Sequence, residues 1–209
     1  MRIGIDLDNT IICYDVVYPQ VARTMGINVP KNYTKDQIKE YCSIKNLGHK
    51  FTILQGLVYG RHLNLATVYN GFMEFVFAMR ELNCEIFIVS HKTEYPILGP
   101  KVDLRSAALK FLEEKLILNK DTIPRENIFF QSTELRKIER INSLRLDHFI
   151  DDLIRILDHP NLSKNIRTHL FLPQIPNDSE TRYIKEGAFN CWQKLKIDME
   201  KFFRCSTDV

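Results

Sequence analysis

The sequence predicts an α/β protein: a doubly wound parallel sheet with a small α-helical insertion after its first strand. Three observations carry this. The opening run Ile3-Gly4-Ile5 is apolar on both faces, as a strand covered by helices on both sides must be. Further short apolar runs at residues 84–89, 127–131, 148–150 and 168–172 alternate with stretches of helical period. Several runs end in polar residues: Asp6 and Asp8, then Ser90, then Asp151 and Asp152. In a parallel sheet those carboxyl ends share one edge, where open α/β sheets bind ligands.

In chain order, the first strand leads into Asp6-Leu7-Asp8-Asn9-Thr10. Alternation along an extended chain would put Asp6, Asp8 and Thr10 on one side. Alone, this pattern is also compatible with a strand running into a polar loop. Asp15 is the expected cap of a helix running to about Met25, with Pro19 in its first turn and Gly26 as terminator. Thr34-Lys35-Asp36-Gln37 matches a capping box and opens a helix towards Lys45, with Gly48 just past its end. Residues 49–65, interrupted by Gly56 and Gly60, have no clear period. Residues 13–68 therefore read as a mostly helical insertion, and 1–12 with 69–209 as the core. Phe72, Phe75, Val76, Met79 and Leu82 recur at helical spacing, an aromatic stripe suited to a core, and Asn83 can end that helix. After the strand at 84–89, a loop containing Pro96, Gly99 and Pro100 precedes a helix beginning near Asp103, with Ala107, Ala108, Phe111 and Leu112 on its apolar face. Leu135, Ile138, Ile141 and Leu144 mark another helix, with Lys137 in its first turn. Residues 180–203 read as a final helix.

Composition narrows the function. A chain of 209 residues accommodates one full core plus an insert, and a net charge of +3 lends little support to nucleic-acid binding. The five cysteines are odd in number and scattered without a Cys-x-x-Cys pair, against a disulfide framework or zinc site and in favour of a reducing compartment. No apolar run is long enough to span a bilayer, and the first residues lack the pattern of a signal peptide. The expectation is a cytoplasmic protein with a small-molecule partner.

Four carboxylates brought to one edge repel one another unless a cation lies among them, and an all-oxygen site suits Mg²⁺. A metal beside Ser, Thr and Lys donors suits a phosphate.

The ordered set resembles the haloacid dehalogenase (HAD) superfamily. Its first motif, an apolar strand followed by Asp-x-Asp-x-Thr, is matched by Ile3-Gly4-Ile5-Asp6-Leu7-Asp8-Asn9-Thr10. Its second, a strand ending in Ser or Thr, is matched by Ile86-Phe87-Ile88-Val89-Ser90. Its third, a lysine near the start of a helix, is matched by Lys137, and its fourth, an acidic pair after a strand, by Phe149-Ile150-Asp151-Asp152. The segment 91–103 also resembles a stretch of uncharacterised bacterial members, which names no substrate.

The resemblance implies a Rossmann-like core with residues 13–68 as the family's helical cap, which excludes water and carries substrate preference. It implies Asp6 as nucleophile, forming an aspartyl-phosphate, and Asp8 as general acid, then base. Asp6 and Asp151 would hold Mg²⁺ with their side chains and Asp8 through its carbonyl. Asp152 would bind the metal through water or orient Lys137. Ser90 and Lys137 would hold the phosphoryl group, Thr10 standing with them and fixing the loop between Asp6 and Asp8. An aspartate two residues after the nucleophile disfavours dehalogenation. Lys92 and Lys101 compete with Lys137 as phosphate clamp, and Lys137 is preferred for its place in a helix first turn. His91 could line the crevice; Arg61 and His62 default to the surface. The expected activity is a Mg²⁺-dependent phosphatase acting on a small phosphate monoester. The alternatives are a phosphomutase or phosphotransferase, or a binding or regulatory protein on the same scaffold.

Overall fold

The computed structural model describes residues 1–173 and 188–207. Five parallel strands form the sheet: β1 (Arg2–Ile5), β4 (Glu85–His91), β5 (Ile128–Gln131), β6 (His148–Asp151) and β7 (Arg167–Leu170). Their spatial order is β5-β4-β1-β6-β7, so β1 lies at the centre and the chain winds outwards in both directions from it. This is the expected doubly wound, Rossmann-like arrangement. A separate antiparallel pair joins β2 (Ile12–Cys13) to β3 (Thr67–Val68), closing the ends of the insertion.

Alternation divides the sheet's side chains between two layers. Gly4, Phe87 and Phe149 are level with one another across β4, β1 and β6. Phe87, Val89 and Phe149 join Ile138 and Ile141 of α6 (Glu134–Ser143) and Ile156 and Leu157 of α7 (Ile154–Leu157) in one core cluster. Gly4 is required in this layer: a Cβ there would lie 2.3 Å from Leu146 Cδ1 and 2.7 Å from Phe149 Cδ2. Towards the other face packs α8 (Trp192–Thr207), whose Phe202 ring meets the ring of His148 edge-on at 5.2 Å. α4 (Phe72–Glu81) packs against α8 and buries Phe72, Phe75, Val76 and Met79. The aromatic stripe is core, and Asn83, in the left-handed region at φ 57°, follows the helix end.

The chain divides into two compact units: Met1–Ile11, Tyr69–His91 and Ile117–Val209 in the first, Ile12–Val68 and Lys92–Leu116 in the second. The second holds α1 (Val17–Thr24), α2 (Lys35–Ile44), α3 (Gly48–Tyr59) and α5 (Leu104–Glu114). It thus includes residues 92–116, which the sequence reading left with the core. The reason lies in two glycines, one in α3 and one directly after it. A Cβ on Gly56 would meet Pro96 at 2.7 Å, and one on Gly60 would meet Val102 at 3.1 Å and Leu104 at 3.2 Å. Residues that read as helix breaks instead permit close backbone approach by the following loop.

Several local expectations need correction. Asp15 does not cap α1; Val16 stands at that position with no side-chain hydrogen bond. Gly48 opens α3 rather than merely following α2. β4 runs two residues further than expected, so Ser90 is a strand residue. Leu135 lies on the exposed side of α6, at 49% exposure, whereas Ile138 and Ile141 are buried. The Thr34 capping box forms with both halves, and Asp103 caps α5 by accepting from the Arg105 and Ser106 amides. Of the expected final helix, residues 180–187 lie outside the described residues. Among the described residues no helix is long and apolar enough to cross a membrane.

Candidate active site

Register sets the site. Ile5 is level with Ile88 and with Ile150, so Asp6, Val89 and Asp151 come next along three adjacent strands, and Ser90 one residue beyond. The Asp6 amide donates to the Ile150 carbonyl at 2.9 Å, continuing the ladder one step past β1. Beyond that the chain turns. Asn9 adopts a left-handed φ of 61°, and the Ile11 amide donates to the Leu7 carbonyl at 3.0 Å. The extended alternation expected through Asp6, Asp8 and Thr10 therefore stops at the strand end. Asp6 is buried at 5% exposure, Asp8 half-buried and Thr10 fully buried.

Lys137 reaches this edge from the first turn of α6. The Thr133 hydroxyl caps that helix by accepting from the Arg136 amide. The helix also buries Ile138 and Ile141, which turns Lys137 inwards beside them. Its Nζ donates to Asp6 Oδ1 at 2.5 Å and to Asp151 Oδ2 at 2.6 Å. Asp151 Oδ1 accepts the Leu153 amide at 2.9 Å, so both its oxygens are held. Lys92 and Lys101 belong to the second unit. The Lys92 ammonium lies 4.8 Å from the Tyr59 ring centroid and that of Lys101 4.4 Å from the Tyr95 ring centroid.

The electrostatics follow from crowding and burial. Burial pushes the Asp6 carboxyl well above the usual range; Lys137 pulls it down, while Asp151, Asp152 and Asp8 push it up again. Burial alone would lower the Lys137 ammonium, but Asp151 and Asp6 outweigh it and hold the group above an ordinary lysine. With every carboxyl ionised, one ammonium between two buried carboxylates would leave a net negative charge, which Asp152 and Asp8 would increase.

Whether these residues suit a divalent cation can be judged from the donors. Asp6, Asp151 and Asp152 each offer a carboxylate oxygen, and the three atoms lie within 4.8 Å of one another. Hard oxygens with an uncompensated negative charge fit Mg²⁺.

Ser90 is buried at 1% on β4, at the register just described, and Thr10 has a buried hydroxyl with no hydrogen-bond partner among the described residues. Neither makes a described hydrogen bond to the acidic cluster. His91 is exposed, its Nε2 3.2 Å from the Ser132 carbonyl; Arg61 is exposed and His62 half-buried. Sequence reasoning missed Trp192, whose indole N–H donates to the Thr10 carbonyl at 3.2 Å across 182 residues. Only its being the chain's one tryptophan could have drawn notice.

No protein-family model matches the sequence, and no curated protein matches it. Solved structures do. A HAD-superfamily hydrolase from Ehrlichia chaffeensis is 14% identical, with 97% of this chain and 97% of that chain covered at a TM-score of 0.55. A HAD family hydrolase from Deinococcus radiodurans, with bound phosphate and sodium, is 13% identical over 96% of this chain and 95% of that one, at 0.58. A predicted phosphoglycolate phosphatase from Haemophilus somnus is 13% identical over 94% and 96%, at 0.53. The chain has the fold of HAD-superfamily hydrolases.

Proposed function

We propose that this protein is a Mg²⁺-dependent phosphatase that hydrolyses a small phosphate monoester through an aspartyl-phosphate on Asp6. The observation that carries the reading is the meeting of Asp6, Asp151 and Lys137, which lie far apart in the chain, beside the further acid Asp152. Binding of phosphate together with a cation by the Deinococcus radiodurans protein of the same fold supports it.

Asp6, Asp151 and Asp152 would hold Mg²⁺, with the Asp8 carbonyl as a further ligand. When bound, the ion offsets the repulsion between carboxylates and a phosphate dianion. The chain's own groups do the rest. A carboxylate oxygen of Asp6 attacks phosphorus and the bond from phosphorus to the leaving oxygen breaks. The Asp8 carboxyl gives its proton to that oxygen. Asp8, now a carboxylate, takes a proton from water, whose oxygen attacks phosphorus and releases Asp6 with inorganic phosphate. Lys137, Ser90 and Thr10 hold the phosphoryl oxygens, and Lys137 keeps the Asp6 carboxylate oriented.

The second unit takes the substrate-preference role of a cap, and the scattered thiols suit a reducing, cytoplasmic setting. A screen over sugar phosphates, nucleotides and other metabolite phosphates tests the activity. Turnover is expected with Mg²⁺, abolished by EDTA and restored by added Mg²⁺. Full activity in metal-stripped protein would refute the site, and an isomeric phosphate in place of free phosphate would indicate a mutase.

A further inference from the structure

Trp192 begins α8 and is fully buried. Its ring lies 4.9 Å from Phe72 and from Phe75, and 5.0 Å from Phe171, between centroids. Those contacts by themselves would suit any large aromatic residue. The hydrogen bond to the Thr10 carbonyl at 3.2 Å would not, because phenylalanine has no donor.

The acceptor lies in the turn that follows the strand end and carries Asp8. The Thr10 hydroxyl gives that turn no anchor, being buried without a hydrogen-bond partner among the described residues. The indole is itself fixed by rings from α4 and by Phe171, one residue past β7, so its N–H is a rigid point of attachment.

We propose that Trp192 is a positioning residue: its indole N–H fixes the Thr10 carbonyl and thereby the placement of Asp8 relative to Asp6. The proposal rests on the phosphatase reading for its catalytic consequence, though not for the structural tie.

The test compares wild type with Trp192→Phe, which keeps an aromatic ring and removes the donor. For alkyl phosphates, whose leaving oxygen needs a proton, kcat is expected to fall about tenfold, within the ~10²-fold that a misplacement of about 1 Å can cost. KM should stay within about twofold, because phosphate binding does not use Asp8 as an acid. The first step with p-nitrophenyl phosphate should change little, so rate should depend more steeply on the leaving group's pKa. A merely structural role would lower the first-step rate of all substrates alike, so the leaving-group dependence is read from single-turnover rates. Hydrogen exchange of residues 6–11 should quicken in the variant while that of residues 85–90 does not. If Trp192→Phe does not fold, benzothienylalanine at this position keeps the indole shape without the N–H and replaces it in both measurements. Unchanged leaving-group dependence together with unchanged exchange overturns the proposal. If wild type hydrolyses no phosphate monoester, the phosphatase reading falls and exchange alone decides: faster exchange confined to residues 6–11 upholds the tie, and no difference overturns it.

Discussion

At Lys137 one ammonium serves two buried carboxylates, and removing it leaves both without a counter-charge. Loss of one partner from a buried ion pair costs about 3–5 kcal/mol, because the remaining charge stays desolvated. Lys137→Met should therefore unfold at lower temperature than wild type, and Mg²⁺ should raise its Tm by more than it raises that of wild type. Equal Tm values in the absence of metal would show that the pair carries no such energy. The aspartates of this site were legible in sequence because two acidic motifs follow apolar strands in the order of the family the chain resembles; either motif alone would also suit a strand running into a polar loop. Lys137 was legible only through the family resemblance, which expects a lysine in that helix's first turn, and its simultaneous bonds to Asp6 and Asp151 were not legible. They depend on the register that brings the ends of β1 and β6 level. Trp192 was illegible, since a buried tryptophan and a tryptophan donating to a loop carbonyl look alike in sequence.

Among the elements, β1 leads directly into the site's first acids and has no room for a side chain at Gly4. A methyl there would lie 2.3 Å from Leu146 Cδ1 and 2.7 Å from Phe149 Cδ2, and Phe149 is held in the neighbouring strand. Overpacking of this kind costs about 1–3 kcal/mol. Gly4→Ala should lower the midpoint of urea unfolding accordingly, and an unchanged midpoint would mean that the layer yields freely. The parallel strands were readable from their apolar runs, and α4 from its period. Where reading failed, tertiary contact was the cause. Gly56 and Gly60 lie in and directly after α3 because the segment from Pro96 to Leu104 packs there, and no local pattern shows that. The extra length of β4, to His91, comes from pairing with β5, where Ser90 is level with Phe130 and His91 with Gln131.

For the molecule as a whole, pH should act through a buried histidine pair that takes no part in the proposed chemistry. His148 Nδ1 lies 2.8 Å from His169 Nε2, and both side chains are buried. Burial, then the nearby charge of Arg167, lowers His148 to about 4 against the opposing pull of Asp147 and Asp198. Burial, His148 and Arg167 lower His169 to about 3. Both values lie below that of an unfolded histidine, so the unfolded chain binds more protons between about pH 6.5 and 3. The stability this neutral pair contributes is thus fully present above about pH 6.5 and is lost as pH falls, on the order of 2 kcal/mol per histidine by pH 5. His169→Gln should flatten that slope in denaturant titrations at pH 7 and pH 5; an identical slope would exclude the pair as its source. The central claim for the molecule is that Asp6 carries the phosphoryl group while Asp8 moves the proton. Its most direct measurement is acid quench of Asp8→Asn turning over p-nitrophenyl phosphate with Mg²⁺, followed by mass analysis of the peptide containing Asp6. The good leaving group departs without an acid, and hydrolysis then lacks its base, so a burst of nitrophenol and a phosphorylated Asp6 are expected, with neither in Asp6→Asn. A phosphoenzyme in Asp6→Asn, or steady unimpaired turnover of alkyl phosphates by Asp8→Asn, would contradict the account.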